Sequence, residues 1–188
     1  MTDLTVVVRQ LKDKTDLSNN YVSLPKNYGT EAYFQRADIR AVKKIVYETL
    51  DALNRHCHFS EKLAASRKVI IKPNLVSVYH KSGMTHDDYP ESTDPRVLDA
   101  VVEWVQQFHS HIVIAESSGK PMPTATSFHI SGIDRIAKYR KTQLTALELC
   151  PVRRYLLPKA RVMKEILIPE PFVGVAEGKD FYISVPKL

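Results

Sequence analysis

Lys68-Val69-Ile70-Ile71-Lys72-Pro73-Asn74-Leu75-Val76 is the stretch on which the fold of this chain turns. Its apolar run reads as a strand buried on both faces, as in the centre of a parallel sheet. The run closes on a lysine, a proline that breaks the hydrogen-bond ladder, and an asparagine. A cation and an amide therefore stand at the carboxyl end of the strand, the edge at which open α/β sheets bind ligands.

Downstream, Tyr79 to Pro90 is a polar loop with two histidines and two aspartates. Thr93-Asp94-Pro95 then opens a helix, with an acidic N-cap and a proline at the first helical position. Val97, Leu98, Val101, Trp104, Val105 and Phe108 give that helix a broad apolar face. His111-Ile112-Val113-Ile114-Ala115-Glu116 is a second buried strand, closed by the polar turn Ser117-Ser118-Gly119-Lys120. Strand, helix and strand in this order predict a parallel sheet with right-handed crossovers. Thr124 to Tyr139 reads as helix, with Ser131-Gly132 as a weak spot or a break. Leu144 to Leu149 reads as strand in preference to a helix extension. Ile166 to Pro169 and Phe181 to Leu188 complete the strand-like segments.

Upstream, a helix is expected from Asp38, its N-cap, to about Arg55, with Ile39, Val42, Val46, Leu50 and Leu53 as one apolar stripe. His56 to Arg67 is read as a connection. Thr5-Val6-Val7-Val8-Arg9 reads as a short first strand. Lys12 to Arg36 is a long loop whose Tyr21, Tyr28, Tyr33 and Phe34 are expected to pack down, either lining a pocket or, as the favoured reading, anchoring the loop to the body of the protein. The expected architecture is α/β, a mostly parallel or mixed sheet flanked by helices in three layers, with residues 1–188 forming one domain.

Composition narrows the function classes. The chain has 188 residues, 44% hydrophobic and 26% charged, ordinary values for a globular protein. No segment approaches the roughly 18 to 20 apolar residues of a membrane span. The N-terminus has no basic segment before its apolar residues, so no secretory signal is read and a cytoplasmic location is expected. Cys57 and Cys150 are too few for a disulfide framework and are expected reduced. His56-Cys57-His58 reads as an exposed helix end, since no Cys-x-x-Cys-type spacing completes a metal site.

Net charge is +6 and uneven. Residues 135–164 hold nine Lys or Arg and one acid, Glu148. Such a stretch attracts anions, but it lacks the interleaved aromatics of a nucleic-acid surface, which makes nucleic acid the weaker reading.

Three strand ends carry related chemistry: Lys72-Pro73-Asn74, Glu116-Ser117-Ser118-Gly119 and Pro186-Lys187. If these strands are parallel neighbours, one edge gathers two lysines, an amide, a carboxylate and two hydroxyls. Backbone N–H groups at Ser118-Gly119 can add to the positive field, so the set suits a phosphate or a carboxylate. Lys72 and Lys187 would pair with the ligand's charge, Asn74 and Ser118 would hydrogen-bond to it, and Glu116 would orient it or act as a base. Lys72 and Glu116 are the candidate catalytic groups; Lys72, Asn74, Ser117, Ser118, Gly119 and Lys187 are the candidate ligand set. No Gly-x-Ser-x-Gly elbow supports a hydrolase built from Ser117 or Ser118 with His80 or His86 and Asp87 or Asp88. The same loop histidines and aspartates are a weak metal reading, and no phosphate loop or dinucleotide fingerprint occurs.

Taken together, Val69 to Val76, Thr93-Asp94-Pro95, Ile112 to Gly119, Ser131-Gly132-Ile133 and Ile183 to Leu188 resemble the DUF362 family, in order, over about residues 65–188. The family is one of unknown function. Some members carry ferredoxin-type iron–sulfur modules, which implies redox chemistry. The cysteine-rich module is absent here, so no iron–sulfur cluster is expected in this chain alone, and a cluster-bearing module would be a partner. In the family the Pro-Lys-Leu strand is followed by a further large segment. An end at Leu188 without a polar tail therefore fits a partial chain. The function expected is binding of a small anionic ligand or cofactor at the carboxyl edge of the sheet, with a redox connection. The competing class is a non-enzymatic interaction protein using the basic 135–164 surface for a protein or nucleic-acid partner.

Overall fold

The computed structural model describes residues 5–9, 23–76, 92–119 and 122–186. Helices α1 (Glu31–Phe34), α2 (Ala37–Cys57) and α3 (Phe59–Ala65) lead into strand β1 (Val69–Pro73). Then follow α4 (Pro95–Val105), β2 (Ile112–Glu116), α5 (Thr124–Ser131), α6 (Ile133–Arg140) and β3 (Gln143–Ala146). The chain continues through β4 (Val152–Leu156), β5 (Glu165–Pro169), α7 (Glu170–Ala176) and β6 (Phe181–Val185).

Four strands form a parallel sheet in the order β3-β2-β1-β6. β1 is therefore interior, as its continuous apolar run requires. Its register sets Ile71 beside Ile114 of β2 and Ile183 of β6. Successive side chains leave a strand on opposite faces. Val69 and Ile71 of β1, with Ile112 and Ile114 of β2, join a large core with Leu98, Val102 and Trp104 of α4 and Ile133 and Ile136 of α6. Ile70, Val113 and Ala115 point the other way and pack with Leu147, Phe172 and Val175. The result is three layers: a thick helical layer, the sheet, and a thinner cover that includes α7.

α4 starts as its sequence dictates. Asp94 accepts a hydrogen bond from the Arg96 N–H at 2.8 Å and Pro95 opens the helix. Its Trp104 is 1% exposed, stacks on Phe59 at 5.1 Å and donates from Nε1 to Asp51 Oδ1 at 2.7 Å. The break between α5 and α6 falls at Gly132, where φ is 81° and a Cβ would come within 2.5 Å of the Arg135 guanidinium.

Several expectations are corrected. Thr5 to Arg9 forms no strand; Val6 and Val8 are 72% and 82% exposed, and Arg9 lies at a groove bordered by Ile45 and Val97. Among the described residues this segment pairs with no strand. Asp38 is not an N-cap, because Arg36 holds that position. The Asp38 carboxylate lies inside the first turn and pairs with Arg36 at 3.0 Å and with buried Arg96 at 3.3 Å, joining α2 to α4. The connection from His56 to Arg67 contains α3, and β4 and α7 were not foreseen. β5 is a strand as read, but it pairs antiparallel with β4 in a separate ribbon.

The aromatics behave as anchors. Tyr28, Tyr33 and Phe34 pack edge to face with one another, Tyr139 of α6 joins them, and the Tyr28 hydroxyl donates to Asp99 at 2.8 Å. Tyr21, the loop holding His80, His86, Asp87 and Asp88, and Lys120 lie outside the described residues. Cys57 and Cys150 are free thiols. Among the described residues no helix is long and apolar enough to cross a membrane.

Candidate functional site

The carboxyl ends of β2, β1 and β6 lie side by side, because β1 pairs in parallel with both neighbours. At the end of β1, Lys72 extends toward β2, and its Nζ meets Glu116 Oε2 at 2.8 Å. The same ammonium donates to the Pro73 carbonyl at 3.3 Å. The second oxygen of Glu116 accepts the Ser117 N–H at 2.8 Å. The two partners are unequally placed: the Lys72 side chain is 29% exposed and that of Glu116 is 3% exposed.

Burial pushes the Glu116 carboxyl above the ordinary carboxylate range. The Lys72 ammonium and the Ser117 N–H act against that rise, and the nearby Glu148 charge adds to it. Glu148 behaves oppositely. Burial pushes it up, but hydrogen bonds from the Thr124 N–H at 2.9 Å and hydroxyl at 2.8 Å outweigh burial and hold it below the ordinary range. The edge thus contains two carboxylates with different proton affinities.

The Ser117-Ser118-Gly119 turn is organised from behind. Ser118 N–H donates to Thr124 Oγ1 at 2.7 Å, Ser118 Oγ donates to the Met122 carbonyl at 2.9 Å, and Ser127 Oγ donates to Ser118 Oγ at 3.1 Å. Gly119 N–H reaches the Leu75 carbonyl at 3.4 Å. All three N–H groups of the turn therefore have intramolecular acceptors. Ser117 and Gly119 themselves are exposed.

Thr93 joins the ends of β1 and β6. Its hydroxyl accepts from Asn74 N–H at 2.8 Å and donates to the Val185 carbonyl at 2.5 Å, while its own N–H donates to the Asn74 carbonyl at 2.8 Å. Ser92 repeats the pattern one step on, with its hydroxyl bonded to both the N–H and the carbonyl of Val76.

Lys72, Asn74, Glu116, Ser117, Ser118 and Gly119 thus belong to two adjacent strand ends, and Lys187, expected beside them, lies outside the described residues. Sequence reasoning missed Thr93, Thr124, Ser127 and Glu148. Glu148 did carry a signal, as the lone acid among nine cations of residues 135–164.

Those cations are dispersed. Arg135 donates to the Leu24 and Pro25 carbonyls, and Arg140 is held by Asp99 at 2.7 Å and Glu103 at 3.1 Å. Arg153 pairs with Glu170 and Glu177, and Arg154 with Glu165.

The family model for DUF362, a domain of unknown function, matches residues 69–188, more than half of the chain. The chain belongs to this family. Neither the curated proteins nor the solved structures contain a match. A four-thiolate iron–sulfur cluster needs more sulfur ligands than the two thiols here, at the end of α2 and just before β4, supply.

Proposed function

We propose that this DUF362 chain binds a small anionic ligand, bearing phosphate or carboxylate, at the carboxyl edge of its parallel sheet, with Lys72 as the receiving cation. The Lys72–Glu116 pair carries this reading. The ammonium is the solvent-reached member of the pair and the carboxylate is the buried one, so an incoming anion meets Lys72 first. Glu116 has a raised proton affinity, and once protonated it no longer neutralises Lys72. Ligand binding would then be coupled to proton uptake: the anion takes over the ion pair and Glu116 becomes the neutral carboxylic acid. In this scheme Glu116 orients Lys72 and holds the proton.

Asn74, Ser117, Ser118, Gly119 and Lys187 are the proposed remainder of the ligand set. The N–H groups of the Ser117–Gly119 turn already have acceptors. The turn's contribution would therefore come from the exposed Ser117 side chain and from the close approach allowed at Gly119, whose missing Cβ would meet only Val76 at 3.8 Å.

A thermal-shift panel of inorganic phosphate, pyrophosphate, nucleotides, phosphate-bearing cofactors and dicarboxylates tests the reading. A ligand at 100 times its Kd adds about 2.7 kcal/mol of stability. At least one anion is expected to raise Tm by several degrees. That rise should vanish in Lys72→Met/Glu116→Gln, which replaces the ion pair by neutral side chains of similar size. No rise across the panel, or an undiminished rise in the double variant, would refute the site.

A further inference from the structure

The β4–β5 ribbon stands apart from the parallel sheet and concentrates exposed apolar side chains. Leu149, Val152, Leu156, Val162, Met163 and Leu167 are each more than half exposed. The register explains the arrangement. Val152, Arg154 and Leu156 lie opposite Pro169, Leu167 and Glu165, so these six share one face of the ribbon. The alternate residues Arg153 and Tyr155 face the other way, toward Glu177, with Arg153 also bonded to Glu170 of α7. The first face is therefore an apolar strip with one ion pair, Arg154–Glu165, across it.

The ribbon and its flanks are also basic. Residues 150–169 carry Arg153, Arg154, Lys159, Arg161 and Lys164 against the single acid Glu165. Among the described residues each of the two strands has only the other as a neighbour. Their outer edges thus present a ladder of backbone groups to any added strand.

We infer that the β4–β5 ribbon is a docking site for an extended polypeptide segment that alternates apolar and acidic side chains. The apolar members cover Leu156 and Leu167, the acids meet Lys159, Arg161 and Lys164, and the backbone extends the two-stranded sheet. Exposed apolar side chains gathered on one face of a ribbon mark an interaction site. The basic excess selects an acidic partner and disfavours a second copy of this chain, whose ribbon bears the same charge. The open strand edges select a polypeptide over lipid or nucleic acid, since only a peptide backbone completes the ladder. A two-stranded ribbon is of marginal stability alone, and a third strand supports it. The inference uses none of the residues of the Lys72 site, so either can fail without the other.

Selection of displayed random decapeptides on the full chain provides the test, followed by binding measurements with the enriched peptide. Peptides alternating Asp or Glu with Val, Ile, Leu or aromatic residues are expected to be enriched. Their affinity should fall about tenfold or more in Leu156→Ser/Leu167→Ser and, separately, in Lys159→Glu/Arg161→Glu. These positions are exposed, so both variants are expected to keep the wild-type circular dichroism and Tm. Absence of enrichment, enrichment of peptides lacking acidic or apolar residues, or equal binding by both variants would overturn the inference. So would binding of duplex DNA or phosphatidylserine vesicles through the same side chains without peptide enrichment.

Discussion

Glu116 is the residue whose environment has the most consequences. Its folded-state pKa is raised by burial above that of the unfolded chain. Its contribution to stability is therefore fully present below the unfolded pKa and is lost as pH rises through the folded pKa. Asp38 and Glu148 work in the opposite direction. Burial raises both, but Arg36 and Arg96 for Asp38, and Thr124 for Glu148, bring them below the ordinary range. The stability they contribute is present above their unfolded pKa values and is lost on acidification. Glu116→Gln is thus expected to flatten the decline in stability as pH rises above the ordinary carboxylate range and to leave the acid-side loss intact, as read by urea unfolding at several pH values. An unchanged decline would mean that Glu116 is not the titrating group. Thr93 is a second sensitive position. Thr93→Val leaves Asn74 N–H and the Val185 carbonyl without their hydroxyl partner, at a cost of about 1–3 kcal/mol in the same urea measurement.

Among the elements, β1 and α4 hold the architecture together. α4 is buried along most of its length, and Trp104→Ala would remove a ring packed between Phe59 and Phe108 and strand Asp51. About 3–5 kcal/mol is expected from the lost packing, a large share of the stability of most domains, measured as a lowered denaturation midpoint. The same elements were the most legible in the sequence. Val69–Ile71 and Ile112–Ala115 are continuous apolar runs, and Asp94-Pro95 is start chemistry that needs no tertiary help. Less legible elements are short or face solvent. α3 and α7 have seven residues each, too few for a helical period to stand out. β4, Val-Arg-Arg-Tyr-Leu, is exposed at four of its five positions and so shows no strand alternation. Thr5–Arg9 differs the other way, with strand-like composition but no strand pairing among the described residues. In the candidate site, the strand-end residues could be found because strand ends are visible in sequence. Thr93, Thr124 and Glu148 could not, because each acts across a gap of 19 or more residues that only the folded chain closes.

At the scale of the whole molecule, the sheet brings its polar strand ends to one edge and faces its apolar residues into two cores. That division places the ion pair at the neighbouring ends of the two most buried strands, β1 and β2, where the carboxylate is desolvated and its lysine still reaches water. In the proposed function Lys72 receives an anion and Glu116 takes up the proton that frees it. The Tm rise given by the strongest anion of the panel, taken over a pH series that starts in the ordinary carboxylate range and runs upward, in the wild-type chain and in Glu116→Gln, tests this coupling most directly. Comparing the two proteins cancels the titration of the ligand itself. A larger rise at the low end of that series than at the high end is expected in the wild type, and in Glu116→Gln a rise that is at least as large and no longer carries this added pH dependence. An identical pH dependence in the two proteins, or a rise that ignores Lys72→Met/Glu116→Gln, would contradict the proposed function.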